Sequence, residues 1–552
     1  MRFFDSDLLS SPGQWRAVAI GIVAVLLSLG IIFIPGLYKQ YLLLARLPAS
    51  RPYHLAMLGD IFGLILLAMT LIGIFTAIQW HALFPGLRDY QVLASYPIRL
   101  SDVFVAKFTA LLAFGLILII STTLPPSVLL PAVFVGDYAG DAAAQIPAIF
   151  VSASLAALFV FFSLVALQGV LLNAVPVRHF ARVSLVVQGA LLTALLAGHP
   201  LARTLVTTNA IDHPPRWAIW LPPAWYLGLD QLLVGSSDPF ATRLARIAIG
   251  APIAAAAAAV GGYFWGYKRH RLRLVESATQ SASQAHLCGG TFTAGRIVRD
   301  PRQLAVFAFV GKTLARSSLQ RLVLTVFVAI AAALICNSFA SLFLSPGLHH
   351  SRSAARALRQ AAVAAPLALS LFVLSGLRYL FRLPVEHRAN WIFRVNQAGN
   401  EVSFLVAVER FLVCCAVLPV ALLTLLIEFE LLGAAAGFEA AILCVLPSLI
   451  LMEVFLTQLQ SIPFTSSYLP GQRPVIQLLL IYSAAVSLYV SALAAMIESS
   501  LTNPAAATGL LTALLGAWLI VRRSRKQQIQ TSKLEFEELE EPAIFSLDLK
   551  RE

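Results

Sequence analysis

The sequence predicts an all-α polytopic membrane protein with about twelve transmembrane helices in two pseudo-repeated six-helix bundles. Three observations support this fold class: the composition, the number of long apolar segments, and a helix–elbow–helix pattern that occurs twice. Of the 552 residues, 59% are hydrophobic and only 12% are charged, and the mean hydropathy is +0.81. One water-soluble core cannot bury that much apolar surface, so lipid has to solvate a large part of the chain.

The number of spans follows from the thickness of the bilayer. A hydrocarbon core of roughly 30 Å needs about 20 apolar residues of helix. Segment 183–199 is short for a span, and segment 404–434 is long enough to tilt or kink. The predicted spans are 17–36, 57–79, 103–124, 146–175, 183–199, 244–267, 319–344, 360–381, 404–434, 436–456, 474–497 and 504–521.

The repeat consists of an apolar span, a short basic elbow that opens with Leu-Phe, and a second apolar span, at 59–124 and again at 361–433. Each copy later has a polar-x-x-Pro sequence after a span, ending at Pro176 and Pro463, where proline cannot continue the helical hydrogen bonds. Chance similarity between basic loops is the alternative. The pattern predicts these parts: a first six-helix unit (1–267), a basic linker (268–318), a second six-helix unit (319–521) and a charged tail (522–552).

The positions of the cations predict the orientation, because Lys and Arg are retained on the cytoplasmic side during insertion. With both termini in the cytoplasm, both elbows and the basic clusters Lys268–Arg271 and Arg522–Lys526 lie inside. Outer loops then contain fewer cations, among them Arg352, Arg356 and Arg359. The net charge of +13 is therefore interpreted as topological, with membrane lipid and not nucleic acid as the partner.

The elbow sequences resemble those of the type-2 ABC transporter permease family. The resemblance is carried by Leu83-Phe84-Pro85 through Lys107, and by Leu221-Pro222-Pro223-Ala224-Trp225-Tyr226-Leu227-Gly228 before the sixth span. It covers the first half well and the second half loosely, since Arg382 replaces Pro85 in the second copy. The resemblance implies that two permease units are fused in one chain, as the membrane part of an ABC exporter in a bacterial inner membrane.

The elbows are the candidate coupling sites. A short amphipathic segment between two membrane helices cannot move without moving both, so a partner that presses on it can tilt the pair. Ordinary snorkelling cations and interfacial aromatic residues are the alternative interpretation. The candidate coupling residues are Phe84, Pro85, Arg88, Asp89, Pro97, Arg99 and Lys107 in the first copy, and Arg388, Asn390, Trp391, Arg394 and Arg410 in the second.

The long outer segment 200–243 is rich in aromatic residues. Indole and phenol rings favour the headgroup layer, because they combine an apolar body with a hydrogen-bonding edge. The functional interpretation is an outer gate formed by Trp217, Trp220, Trp225 and Tyr226. A plain aromatic belt is the alternative for each residue.

The chain has no phosphate-binding loop of its own, so it is not expected to be an enzyme. The nearest match to Gly-x-x-x-x-Gly-Lys-Ser/Thr is Gly311-Lys312-Thr313, with Val306 where the first glycine is required. ATP-driven transport would need ABC-type ATPase subunits at the cytoplasmic face, and these partners would bind ATP and Mg. The chain itself is expected to bind no cofactor and no metal, since its five cysteines have neither zinc nor disulfide spacing.

Two other function classes stay open at the sequence level. An ion-gradient-driven secondary transporter needs buried carboxylates, and a non-transporting membrane scaffold needs none. Four carboxylates occur near apolar spans, and most of them fall at predicted helix ends, where water can reach them. They are Glu428, Glu430, Glu439 and Glu453. The transported substrate does not follow from the sequence.

Overall fold

The computed structural model describes residues 34–47, 50–80, 100–136, 140–205, 219–280, 298–344, 352–383, 390–395, 401–457, 459, 462–465, 484–501 and 503–531. All regular secondary structure in these ranges is helical. The chain divides into two compact units, Met1–Leu287 and Cys288–Glu552.

The first unit contains seven helices in its described residues. The helices α2 and α4 pack against each other, and α6 and α7 form a hairpin that packs on α4. Their bounds are α1 Ile34–Leu44, α2 Ser50–Ile78, α3 Leu100–Val133, α4 Ala142–Ala174, α5 Val177–Leu205, α6 Pro222–Leu233 and α7 Pro239–Gln280.

The second unit is organised around one central helix, α10, which contacts α9, α13, α14 and α15. Its described helices are α8 Pro301–Arg316, α9 Ser318–Leu344, α10 Arg352–Arg382, α11 Asn390–Val395, α12 Glu401–Leu412, α13 Leu418–Leu432, α14 Ala434–Thr457, α15 Leu493–Ser500 and α16 Pro504–Thr531. Two π-helical segments, Val413–Val417 and Val486–Ala492, precede α13 and α15.

The prediction of a multi-pass membrane protein is confirmed. Nine helices in the described residues are long and apolar enough to cross a membrane: Arg51–Ile78, Val105–Val133, Ala142–Ala174, Pro239–Gly262, Leu319–Ala340, Ala355–Arg382, Val402–Leu432, Ala434–Thr457 and Pro504–Ile529. Two shorter apolar helices, Arg182–Gly198 and Val486–Ser500, correspond to the predicted spans 183–199 and 474–497. The first predicted span, 17–36, lies almost wholly outside the described residues.

The third predicted span is longer than expected. The sequence places its end at residue 124, before Pro125 and Pro126, yet α3 continues through three prolines to Val133. Hydroxyl groups in this stretch bond to carbonyls of the same helix: Thr123 donates to the carbonyl of Ile119, four residues earlier, at 2.8 Å. In an apolar environment helical backbone is retained across prolines, because unpaired backbone groups are costly there.

The predicted irregularity of span 404–434 has a local cause. The π-helical segment Val413–Val417 interrupts it, directly before α13, whose first turn contains Pro419. Proline has no N–H to donate to the carbonyl of Cys415, four residues earlier, so the regular α-helical pattern cannot continue through this turn. Single π-helical turns of this kind are frequent at functional sites.

Small residues allow a close helix contact in the first unit. A Cβ atom added to Gly169 in α4 would lie 3.0 Å from the carbonyl carbon of Gly262 in α7. Such close approach favours helix association within a membrane, where van der Waals packing replaces the hydrophobic effect. This contact helps to fix α7 against α4.

Candidate coupling site

The end of each unit that carries its elbow is called the elbow end here: in the first unit the end of α2 and the start of α3, in the second the end of α10 and the start of α12. Most candidate residues of the first elbow lie outside the described residues, namely Phe84, Pro85, Arg88, Asp89, Pro97 and Arg99, as does Arg388 of the second. Lys107 lies in α3, and Asn390, Trp391 and Arg394 lie in the short helix α11. Arg410 is half-buried in α12.

In the first unit, two buried glutamines fix the chain where it leaves α2 toward the elbow. The side-chain amide of Gln188 in α5 donates to the carbonyl of Ala77 at 3.1 Å. The amide of Gln168 in α4 donates to the carbonyl of Trp80, whose side chain is fully buried. The last carbonyls of a helix have no intrahelical partner, so these amides supply the missing hydrogen bonds. Both α4 and α5 therefore hold the end of α2 in place.

In the second unit, a backbone hydrogen bond holds the end of α10 in place. The N–H of Phe464 donates to the carbonyl of Phe381 at 3.1 Å, and the two rings meet edge to face with centroids 5.7 Å apart. Phe464 is fully buried and has φ of 70°, in the left-handed region. It follows Pro463, the proline of the second polar-x-x-Pro sequence. That proline turn therefore lies against the start of the second elbow.

A cluster of phenylalanines joins the second elbow to the following span. Phe393 in α11 contacts Phe309 in α8, with ring centroids 5.3 Å apart, and contacts Phe404 in α12 at 5.9 Å. Phe307 of α8 contacts Phe411 of α12 at 5.3 Å. Aromatic pairs with these separations stabilise beyond the area they bury. We call these five residues the elbow aromatic cluster.

Helix α8 is part of this site, although the sequence predicted only a basic linker there. Asp300 caps its N-terminus by accepting from the N–H of Arg302 at 3.0 Å, and also accepts from the hydroxyl of Ser403 at 2.9 Å. Since Asp300 meets Ser403 and Phe307 meets Phe411, α8 and α12 run side by side in the same direction. The Gly311-Lys312-Thr313 sequence lies inside this helix, so it forms no phosphate-binding loop.

The exposed side of α8 is basic. Val306, Val310 and Thr313 are buried, while three cations of the helix and Arg299, just before its N-terminus, are exposed; the three are Arg302, Lys312 and Arg316. The helix itself contains no acidic residue. We call these four residues the basic surface of α8. It presents positive charge directly beside the elbow aromatic cluster.

A buried ionic cluster ties α12, α14 and α16 together at the same end. Arg525 of α16 forms a short hydrogen bond with Glu409 of α12, and its Nε lies 3.0 Å from Oε2 of Glu453 in α14. The side chains of Arg525 and Glu453 are 4% and 1% exposed. Arg522 adds a longer contact of 4.0 Å to Glu409 and stacks on Trp518. Glu409 thus pairs with two arginines of another helix, α16.

The expectation of water access is wrong for two of the four carboxylates near spans. Glu428 is fully buried and accepts from the thiol of Cys444 at 3.3 Å, and Glu453 is buried against Arg525. Glu430 is exposed and Glu439 half-buried. Neighbouring helices cover Glu428 and Glu453, and a one-dimensional pattern does not show this.

At the opposite end of the second unit, Glu498 binds two of the cations that the sequence analysis assigns to an outer loop. Its carboxylate accepts from Arg356 Nε at 3.1 Å and from an Arg359 Nη atom at 3.4 Å, and its side chain is 4% exposed. These arginines therefore anchor α10 to α15.

Only two of the four candidate gate residues are seen to pack together. Trp217 lies outside the described residues, and Trp220 is 82% exposed. Trp225 and Tyr226, in α6, both contact Phe159 of α4, at 5.6 and 6.2 Å between ring centroids. Tyr226 is fully buried. The structure thus brings two of the four candidates to α4.

Asp230, also in α6, is buried beside Trp225 and Tyr226. It is 2% exposed, and its carboxylate accepts from the Ser152 hydroxyl at 3.5 Å. Burial raises the pKa of Asp230 to about 7, while the hydrogen bond from Ser152 acts in the opposite direction. Asp230 was not predicted from the sequence, because the aromatic segment around it gives no signal for a buried acid.

Other residues of the coupling site were also missed. The helix α8 does have a sequence signal, since Asp300-Pro301 is a typical start of a helix. Gln168 and Gln188 have none, because each acts on a carbonyl about 90 to 110 residues away along the chain. Among the described residues, no group of three or more His, Cys, Asp or Glu side chains is placed to hold a metal ion.

Comparisons of this chain with family models, with curated proteins and with solved structures gave no match.

Proposed function

We propose that this chain is the transmembrane permease of an ABC exporter, driven by separate ATPase subunits that bind at the elbow end. It would lie in a bacterial inner membrane, with both termini and both elbows in the cytoplasm. The observation that carries the proposal is the elbow aromatic cluster, since it links a surface helix of the second elbow to a membrane span. The resemblance of the elbow sequences supports the same conclusion.

The cluster gives a direct path for force. A load on α11 reaches α12 through the contact between Phe393 and Phe404, and α12 is the first part of the span Val402–Leu432. It reaches α8 through Phe309, and α8 is followed after one residue by α9, which contains the span Leu319–Ala340. Close-packed interiors transmit displacement, because they hardly compress. Movement of the elbow would therefore tilt two spans together.

The first elbow has a firm attachment on one side. Gln168 and Gln188 hold the end of α2 against α4 and α5. A partner that displaces this elbow would act on a bundle of helices and not on one loose helix end. Nucleotide binding that closes two ATPase subunits would press both elbows and change the access of a path through the membrane.

The first experiment tests whether an ATPase subunit binds this chain. The chain, purified in mild detergent from its native host, is expected to co-purify with a Walker-type ATPase. The absence of any ATPase, together with intact ATP-dependent transport after charge reversal at Arg88 and Arg388, would contradict the proposal.

The second experiment asks whether the aromatic cluster couples the two parts. With Phe309→Ala and Phe393→Ala, we expect the ATPase to bind and hydrolyse ATP while the ATP-induced movement of the span Val402–Leu432 is lost. Spin labels at Leu422 and Leu519, both exposed in the free chain, would report this movement. Phe438→Ala is the matched control, because Phe438 is 60% exposed. Equal ATP-induced movement in all three variants would refute the coupling role.

A second candidate function, gradient-driven transport, is favoured by Glu428. This carboxyl is fully buried in the span Val402–Leu432. Within the part of the chain that the structure describes, it forms a hydrogen bond with Cys444 but no ion pair. Ionisable groups inside membranes often mark proton or ion pathways. Loss of gradient-driven flux in Glu428→Gln, without any ATPase requirement, would support this function over the first. Glu453 is less suited to carry protons, since Arg525 pairs with it.

A further inference from the structure

We propose that the acidic segment 535–541 of the C-terminal tail binds the basic surface of α8 in the same chain. The segment contains five glutamates in seven residues: Glu535, Glu537, Glu538, Glu540 and Glu541. The segment lies outside the described residues, but the described helix α16 ends only four residues before it, at Thr531.

The tail starts beside α12, the helix against which α8 packs. Arg525 binds Glu409, which places α16 against α12. Phe411, two residues after Glu409, contacts Phe307 of α8. Because two residues are less than one helical turn, helices α8 and α16 contact the same turn of α12, on nearly opposite faces. Helix α16 ends at Thr531, six residues or about 9 Å beyond Arg525.

The distance to α8 is short compared with the length of the tail. Residues 535–541 follow Thr531 by four to ten residues, which allows at most about 13–36 Å in an extended chain. A helix with its side chains is about 10–12 Å across. The acidic segment can therefore cross α12 and reach the basic surface of α8.

Charge favours this site over the other surfaces of the unit. The basic surface of α8 presents four exposed cations with no acidic residue in the helix. Asp300, the nearest acid, is already bound by Ser403 and by the backbone of Arg302. The competing cations Arg523 and Lys526 are exposed on α16 itself. Attraction between exposed charges acts over about 8–10 Å at physiological ionic strength, so the contact has to be salt-sensitive.

A partner that docks on α8 would have to displace the tail. This consequence rests on the proposed function, but the contact itself does not, because it needs no ATPase. The test below therefore uses the chain without a partner, and its failure leaves the proposed function untouched.

The test uses a carbodiimide, which joins a carboxylate directly to an amine. Lys312 is the one lysine in α8. The full chain in vesicles of zwitterionic lipid is expected to give a cross-linked peptide between Lys312 and segment 535–541, identified by mass spectrometry. The yield should fall severalfold in 1 M salt, where the Debye length is about 3 Å. Lys312→Arg keeps the charge and should abolish the cross-link, and Arg302→Lys should create a second one.

Three results would overturn the proposal. Cross-links of the acidic segment only to Lys526 or Lys533 would show that the tail folds back on α16. Cross-links only between isotopically distinct chains would show contact between two copies. A missing Lys312 cross-link, with Lys312 protected from acylation by vesicles of anionic lipid, would identify lipid headgroups as the occupant.

Discussion

Replacement of Arg525 by Met removes the cation that Glu409 and Glu453 share in the buried ionic cluster. Glu453 is 1% exposed and loses its ion pair, whereas Glu409 keeps the longer contact with Arg522 at 4.0 Å. Breaking a buried ion pair from one side costs about 3–5 kcal/mol, because the remaining charge is left desolvated. The methionine itself fills most of the volume of the arginine stem, so a cavity contributes little to this loss.

The free energy of unfolding of the purified chain should therefore fall by about 3–5 kcal/mol in Arg525→Met. Arg523→Met is the matched control, since Arg523 is exposed two residues away, and should stay within about 0.5 kcal/mol of the parent. Reversible denaturation in mixed micelles, followed by tryptophan fluorescence, measures both. For a domain of this size each kcal/mol corresponds to about 2–4 °C in Tm.

A double variant tests whether the unpaired carboxylate of Glu453 causes this loss of stability. If the loss comes from the unpaired carboxylate, then Glu453→Gln added to Arg525→Met should restore most of the lost stability, because it removes the buried charge. An Arg525→Met variant as stable as Arg523→Met, or a double variant that recovers nothing, would refute the electrostatic explanation.

Three further predictions concern the first unit. Gly228→Ala should destabilise the α6–α7 hairpin by about 1–3 kcal/mol in the same denaturation assay, since the new Cβ would lie 2.6 Å from Cβ of Leu244. Gly250→Ala is the control: its new Cβ would meet no neighbouring atom within 4 Å, so this variant should be neutral or slightly stabilising. Equal effects of the two substitutions would contradict the packing argument. The folded-state pKa of Asp230, raised to about 7, means that its carboxyl favours folding below pH of about 4 and that up to about 4 kcal/mol of this stability is lost as the pH rises through 7. Asp230→Asn should flatten this pH dependence, and an unchanged slope in Asp230→Asn would exclude the carboxyl as its source. Gln188→Leu removes the side-chain donor to the carbonyl of Ala77 and should lower the free energy of unfolding by about 1–3 kcal/mol. It should also raise the rate of proteolysis at the adjoining segment 81–99. An unchanged rate would show that Gln188 does not hold the end of α2.

The sequence predicted the elements of the second elbow better than their contacts. Repeated Leu-Phe and polar-x-x-Pro sequences located the ends of α10 and α14, and Phe464, next to that second proline, indeed contacts Phe381. The docking of α8 on α12 was not predicted, although Asp300-Pro301 marks the start of a helix. Local patterns report which residues become helical, but they carry no information on the neighbour that a helical face meets.

The sequence by itself determined that this chain crosses a membrane many times, because the length and apolar character of each span are properties of consecutive residues. Only the tertiary structure decided which polar groups are paired. Glu409 binds Arg525, Glu498 binds Arg356, and Gln188 reaches Ala77, each across more than a hundred residues. In a low-dielectric interior a polar group has to find a partner, and helix packing alone determines which partner is within reach.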